Sequence, residues 1–194
     1  MGRSPTPDTG DVLDVDGLLA DLQAAVAEAE PRLAVRDVLT RAVARPAEAA
    51  DALRPEVGGL RMLYRSVGLT VVDAAWAPGM RLMPHDHRMW AVIGVYQGAE
   101  DNEFFRRGTD RPLVESGGRR LAAGDVVVLG ESTIHAVANP TSGLTGGLHV
   151  YGGDFVAQPR SQWGPGDPVE RPFDLDEALA QFHEANVAAG LVDA

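Results

Sequence analysis

The stretch MPHDHRMWAVIGVYQG, Met83 to Gly98, opens on a His-Asp-His triplet and continues as an apolar run, and it holds two of the five histidines in the chain. In an extended strand, side chains two apart share a face, so His85 and His87 point to one side while Asp86 points to the other. Two imidazoles then converge on the inside of whatever this strand helps to build. Asp86 alternates away and is not counted with them.

The surrounding sequence says what the strand builds. From Leu60 the runs LRMLYRSVG, LTVVDAAWAPG, WAVIGVYQG, NEFFRRG, RRLAAGDVVVLG, HAVANPTSG and TGGLHVYGGDF are short, β-rich and separated by Gly, Pro, Asn and Asp. That pattern predicts an all-β sandwich or barrel over 60–157. Ahead of it, Val12, Val15, Leu18, Leu19, Leu22 and Val26 recur at helical spacing, and Pro31 is expected to stop that helix. Leu33, Val38, Leu39 and Val43 mark a second helix, and Pro46 opens a third that ends near Leu53. These make a helical part over 11–55, behind a flexible arm at 1–10. Residues 158–194 read as a loop, QPRSQWGPGDPVERPF, followed by a helix that Asp174 caps and whose face is Leu175, Leu179 and Phe182.

At 194 residues and 45% hydrophobic content, the chain suits one domain, 1–194, with a full core. A formal charge of −11 and the lack of a basic block argue against nucleic acid as a partner. No apolar run approaches the roughly 18 residues that would span a bilayer. MGRSPTPDTG has no signal-like apolar centre, so the expectation is a cytoplasmic protein with no membrane partner. Zero cysteines leave no disulfide and no thiolate ligand.

Two spaced patterns resemble the cupin superfamily. The first is Gly79, His85, His87, Ala91 and Gly98, with alanine where most metal-binding cupins have glutamate; the second is Gly124, Gly130, Ser132, His135 and Asn139, with both turn residues changed. The resemblance covers about Leu60 to Phe155. It implies a jelly-roll barrel, the double-stranded β-helix, in a mainly β protein with N-terminal helices and one C-terminal helix. It also implies that His85, His87 and His135 bind one metal inside the barrel.

With Ala91 in the glutamate position, a divalent ion would keep its full charge and favour a substrate bringing its own anionic donor. A thiolate meets that need, because coordination removes the thiol proton. HDHRMWAVIGVYQGAE and LHVYGGDF are similar to the bacterial branch of the thiol dioxygenases, the cysteine dioxygenase and 3-mercaptopropionate dioxygenase family. That likeness implies Fe(II) as cofactor, a small thiol acid and O2 as reactants, and a sulfinate as product. The family's Ser-x-His-x-Tyr triad reads here as Gly147, His149 and Tyr151, so the serine is absent. Tyr151, oriented by His149, is then expected to donate a hydrogen bond to bound oxygen or substrate. The cysteine that cross-links to this tyrosine in mammalian members would fall near Ala91, and no such link can form.

A small thiol acid also needs its carboxylate held, which arginine does with a bidentate fork. Arg65 resembles the family's upstream arginine, although Tyr64 precedes it directly, and Arg160 resembles the downstream one. Arg106 and Arg107 read as a solvated strand end, His183 as a helix surface residue, and Trp76, Trp90 and Trp163 as packing residues, with Trp90 near the cavity mouth. The chain is expected to be a monomer or homodimer. Two rival readings remain open: a cupin oxygenase acting on a non-thiol small molecule, and a non-catalytic metal-binding cupin.

Overall fold

The computed structural model describes residues 12–109, 113–164 and 169–193; the arm expected at 1–10 lies outside them. Three helices come first, α1 (Val15–Ala25), α2 (Pro31–Val43) and α3 (Pro46–Leu53). Nine strands follow: β1 (Gly59–Arg65), β2 (Thr70–Trp76), β3 (Arg81–Asp86), β4 (Ala91–Gln97), β5 (Ala99–Arg106), β6 (Val114–Ala122), β7 (Val126–Leu129), β8 (Ile134–Ala138) and β9 (Thr145–Tyr151). Two short strands, β10 (Ser161–Trp163) and β11 (Glu170–Pro172), precede a last helix, α4 (Leu175–Ala188).

The strands form two antiparallel sheets, one ordered β1-β2-β9-β4-β7 and the other β11-β10-β3-β8-β5-β6. Every second side chain of each sheet faces the space between them, which is the jelly-roll arrangement. β2 and β9 are buried along their whole length because they are covered on both faces. Their inner face (Val72, Ala74, Tyr151) joins the barrel core, while Val71, Leu148 and Val150 pack outward on Leu22, Leu39 and Val43 of the helices. The turns obey the first motif: Gly79 and Gly98 take φ of +71° and +68°, where a side chain is strained.

Several expectations need correction. α1 ends at Ala25, and Pro31 is the first residue of α2, where proline's missing N–H costs nothing. Val12 and Leu33 are exposed, so the buried face is Leu18, Leu22 and Ala25 on α1 and Val35, Val38, Leu39 and Val43 on α2. The late loop contributes β10 and β11 to the second sheet. On α4, Asp174 caps as expected, accepting from the N–H groups of Asp176 and Glu177. Its inner face, however, is Ala178, Phe182 and Asn186, with Leu175 and Leu179 exposed. Phe182 stacks on Trp76 inside the barrel with 5.2 Å between ring centres, and the Asn186 side chain exchanges hydrogen bonds with the Gly58 backbone. α4 is thereby fastened across one opening of the sandwich.

Candidate metal centre

The local cause of the site is a bulge in β3. Leu82 pairs with Val137 and His85 with His135, so β3 spends three residue steps where β8 spends two. Pro84, which has no N–H to give a ladder, sits in the extra step. Unbroken alternation from Leu82, which faces the core, would turn Pro84 and Asp86 inward; the bulge shifts the phase and turns in His85 and His87. It also frees the Met83 carbonyl, which lies 3.0 Å from His85 Nδ1. Asp86 points away from the histidines, as expected, yet it is buried. It accepts from the Ser161 N–H at 2.7 Å and from Arg107 at 3.0 Å.

β3 brings His85, the residue after its end is His87, and β8 brings His135; all three are at most 5% exposed. Their Nε2 atoms face one another, His87 to His85 at 3.2 Å and His135 to His87 at 3.3 Å. Bonds of about 2.0–2.1 Å to one ion at 90–109° would set ligand nitrogens roughly 2.8–3.4 Å apart. The spacing fits a single metal ion, and these three are the histidine, cysteine or carboxylate group able to hold one among the described residues. Ala91 is fully buried beside Tyr151 and offers no donor.

Burial drives the His85 pKa down to about 4, and burial plus the neighbouring imidazoles holds His87 and His135 well below the ordinary value of 6.5. Neutral imidazoles with converging lone pairs are ready for a cation. The sign of the pH effect follows. Below pH 6.5 the unfolded chain binds protons that the folded site refuses, so the metal-free protein loses stability as pH falls, with the His85 share complete only near pH 4. Thermal melts in chelator should show Tm falling from about pH 7.5 to about 5, and a level Tm would contradict a neutral buried cluster.

Tyr151 lies edge-on to His87, with 5.0 Å between ring centres. Its hydroxyl is 3.4 Å from His149 Nδ1, and His149 Nε2 is 3.2 Å from the carboxylate of Glu100, a residue the sequence did not single out. Glu100 is completely buried and also accepts from Trp76 Nε1 and Asn102 Nδ2, both at 2.9 Å. Asn102 Oδ1 is 2.7 Å from His135 Nδ1. Burial opposes charge on Glu100, but the hydrogen bonds from His149, Asn102 and Trp76 outweigh it, and its pKa is lowered. Burial pushes the Tyr151 phenol up, so it stays protonated. Trp76 therefore does more than pack.

The site's second wall comes from the segment expected to be loop. The Arg160 guanidinium lies 3.8 Å from the Phe155 ring centre and 4.0 Å from that of Phe173. Phe155 stacks on Tyr151 at 4.1 Å, and Phe173 lies 5.8 Å from the His85 ring. Arg160 is 7% exposed and donates through one terminal nitrogen to the Phe155 carbonyl, while its buried Nε has no partner. Burial lowers its pKa to about 10, with Tyr151 and Asp86 opposing, and it remains a cation at neutral pH.

Arg65 stands apart, half-exposed at the end of β1 and held by two hydrogen bonds to Asp154 at 2.8 and 3.0 Å. Arg107 is not a loose strand end: it grips Glu170 and Asp86 and lies 5.2 Å over Trp163. Trp90 packs on the outer cluster under the helices, and His183 is exposed.

No family model matches the sequence. Solved structures similar to it include an RmlC-like cupin family protein with a double-stranded beta-helix fold from Methanocaldococcus jannaschii (9% identity, 53% of this chain and 85% of that one, TM-score 0.44). Another is a cupin superfamily protein from Desulfitobacterium hafniense (16% identity, 55% and 88%, TM-score 0.43). A third is a cupin 2 conserved barrel domain protein from Salinispora arenicola (21% identity, 47% and 72%, TM-score 0.39). With its two sheets and their strand order, the chain has the cupin fold, and it carries a three-histidine group able to hold a metal ion. No helix among the described residues is long and apolar enough to cross a membrane.

Proposed function

We propose that the protein is an Fe(II) thiol dioxygenase that converts a small thiol carboxylate, 3-mercaptopropionate or cysteine, to its sulfinate with O2. The observation that carries this reading is Arg160, a buried cation with an unpartnered Nε and, among the described residues, no carboxylate on its guanidinium, in the same chamber as three neutral histidines. With a divalent ion on the histidines, such a chamber would call for two negative charges, one at the ion and one at Arg160. A molecule with a thiolate at one end and a carboxylate at the other supplies both.

His85, His87 and His135 would hold the iron, whose contribution when bound is to activate O2 and the thiol sulfur. Arg160 fixes the carboxylate, so that the thiol end is directed to the histidines. Phe155 and Phe173 sandwich the guanidinium and keep water from competing with the carboxylate. Tyr151 presents its hydroxyl beside His87.

An oxygen electrode with iron-reconstituted protein and a panel of small thiols tests the reading, with sulfinate expected as product. O2 uptake with a non-thiol acid alone would favour a different cupin oxygenase. Tight metal binding without any turnover would favour a binding protein. Arg160→Ala is expected to raise KM for 3-mercaptopropionate on the order of tenfold to a hundredfold, as losing a charged hydrogen-bond partner implies. Arg65→Ala should do much less, because that arginine is already occupied by Asp154. The reverse order in steady-state kinetics would move the carboxylate site to Arg65.

A further inference from the structure

We infer that Glu100 is a positioning residue whose carboxylate fixes the proton positions on both His149 and His135, so that Tyr151 accepts a hydrogen bond from the ligand in the chamber instead of donating one. The inference rests on the metal-centre reading above only for the identity of that ligand. Its structural part stands on hydrogen-bond logic alone.

An ionised carboxylate can only accept. Glu100 faces three groups, and each must therefore bring a hydrogen: Trp76 Nε1, Asn102 Nδ2 and His149 Nε2. Two consequences run outward from this point. On one side, His149 places a proton on Nε2, and in the neutral ring Nδ1 is then a lone pair facing the Tyr151 hydroxyl. The hydroxyl hydrogen is spent on His149, and what Tyr151 turns to the chamber is oxygen lone pairs. On the other side, the Asn102 amide is oriented with Nδ2 to Glu100, which leaves Oδ1 to accept from His135 Nδ1. His135 then has to offer its Nε2 lone pair to the other two histidines. Glu100 and Asn102 are two apart on β5, hence on the same inward face.

Gly147 makes room for this arrangement. A Cβ there would lie 3.3 Å from His149 Nε2, tighter than most such contacts. With a side chain at 147 the imidazole would have to give by a few tenths of an ångström. The glycine lets the ring lean against β9 with Nε2 on the carboxylate.

The same carboxylate bears on the charge of the centre. None of the three histidines is an anion, and Ala91 supplies none. The buried negative charge stands two hydrogen bonds behind His135, through Asn102, where it makes that imidazole a stronger donor without occupying a coordination position. The ligand suited to this chamber reaches Tyr151 with a hydrogen to give, as a hydroxyl or ammonium group does.

The test is long-range nitrogen–proton NMR of the imidazole rings in the metal-free and zinc-loaded protein, which is tractable with only five histidines. His149 is expected as the Nε2–H tautomer and His135 as the Nδ1–H tautomer. A wild-type spectrum with the His149 proton on Nδ1, or with protons on both ring nitrogens, overturns the inference without any variant. Glu100→Gln puts a donor amide within the same volume and should shift His149 to a mixed or Nδ1–H state. It should also weaken zinc binding on the order of tenfold through Asn102 and His135. If the variant keeps both tautomers and wild-type zinc affinity, Glu100 is a packing residue. These readouts do not depend on turnover, so a protein inert toward thiols would remove the proposed reaction and leave the assignment of Glu100 to be decided by the spectra.

Discussion

His135→Ala is expected to be purified with less than about a tenth of the metal that the wild type holds, against about one ion per chain in the parent. Each histidine contributes one neutral nitrogen, and no carboxylate in the group stands ready to replace a lost one. Asp86, adjacent in sequence to His85 and His87, points away and is tied to the Ser161 N–H and to Arg107. The variant also leaves Asn102 Oδ1 without its hydrogen-bond donor. Removing a partner behind a metal ligand already costs about 10–100-fold in affinity, and removing the ligand itself should cost more. Elemental analysis after gel filtration measures the outcome, with circular dichroism to confirm that the barrel is intact. Stoichiometric metal in a folded variant would eliminate the site as drawn.

The three histidines were legible because a two-residue spacing survives translation into a strand face, and because His135 sits at a fixed distance from the glycines and asparagine of its own turn. What put His85 and His87 on the inner side was less visible. Simple alternation from the apolar Leu82 would have turned Asp86 inward, and only the bulge at Pro84 sets the phase. A proline inside an apparent strand was the signal for it. Glu100 and Asn102 could have been suspected from β5, where Glu100, Asn102 and Phe104 alternate with charged residues. A buried glutamate, however, looks like a solvated one until its three donors arrive from β2, β5 and β9.

The remaining wall was beyond local reading. β10 and β11 have three residues each, too few to leave a period, and Phe173 reaches the site only because its N–H bonds to the Arg160 carbonyl at 2.8 Å. On α4 the apolar pattern pointed to Leu175 and Leu179, whereas the buried stripe holds Ala178 and a hydrogen-bonded Asn186 on either side of Phe182. A small residue and a satisfied polar one carry little hydropathy signal, so the face appeared rotated. The fold class was legible from punctuation between strands, and the chemistry of the chamber depended on contacts far apart in sequence.

Tyr151→Phe should keep its metal and its fold and lose turnover on the order of 10²–10⁴-fold, the range for a lost hydrogen-bonding or acid–base group at a reacting centre. The substitution removes one oxygen and leaves the ring, so the stacking on Phe155 and the edge contact with His87 persist. Burial keeps the phenol protonated, so the group lost is a neutral hydroxyl, and the deficit should not be recovered by raising pH within the stable range. Oxygen-electrode rates at saturating thiol, normalised to iron content, separate this from a binding defect: kcat is expected to fall while KM, assigned to Arg160 in the proposed reaction, changes little. Combining the change with Glu100→Gln sharpens the result. If Glu100 acts through His149 on the Tyr151 hydroxyl, removing that hydroxyl leaves the carboxylate's effect on this path with nothing to act on. The double variant should then be about as slow as Tyr151→Phe alone at saturating metal. Multiplied losses would mean that the two side chains serve the reaction independently, and unchanged turnover in Tyr151→Phe would reduce Tyr151 to a wall of the chamber.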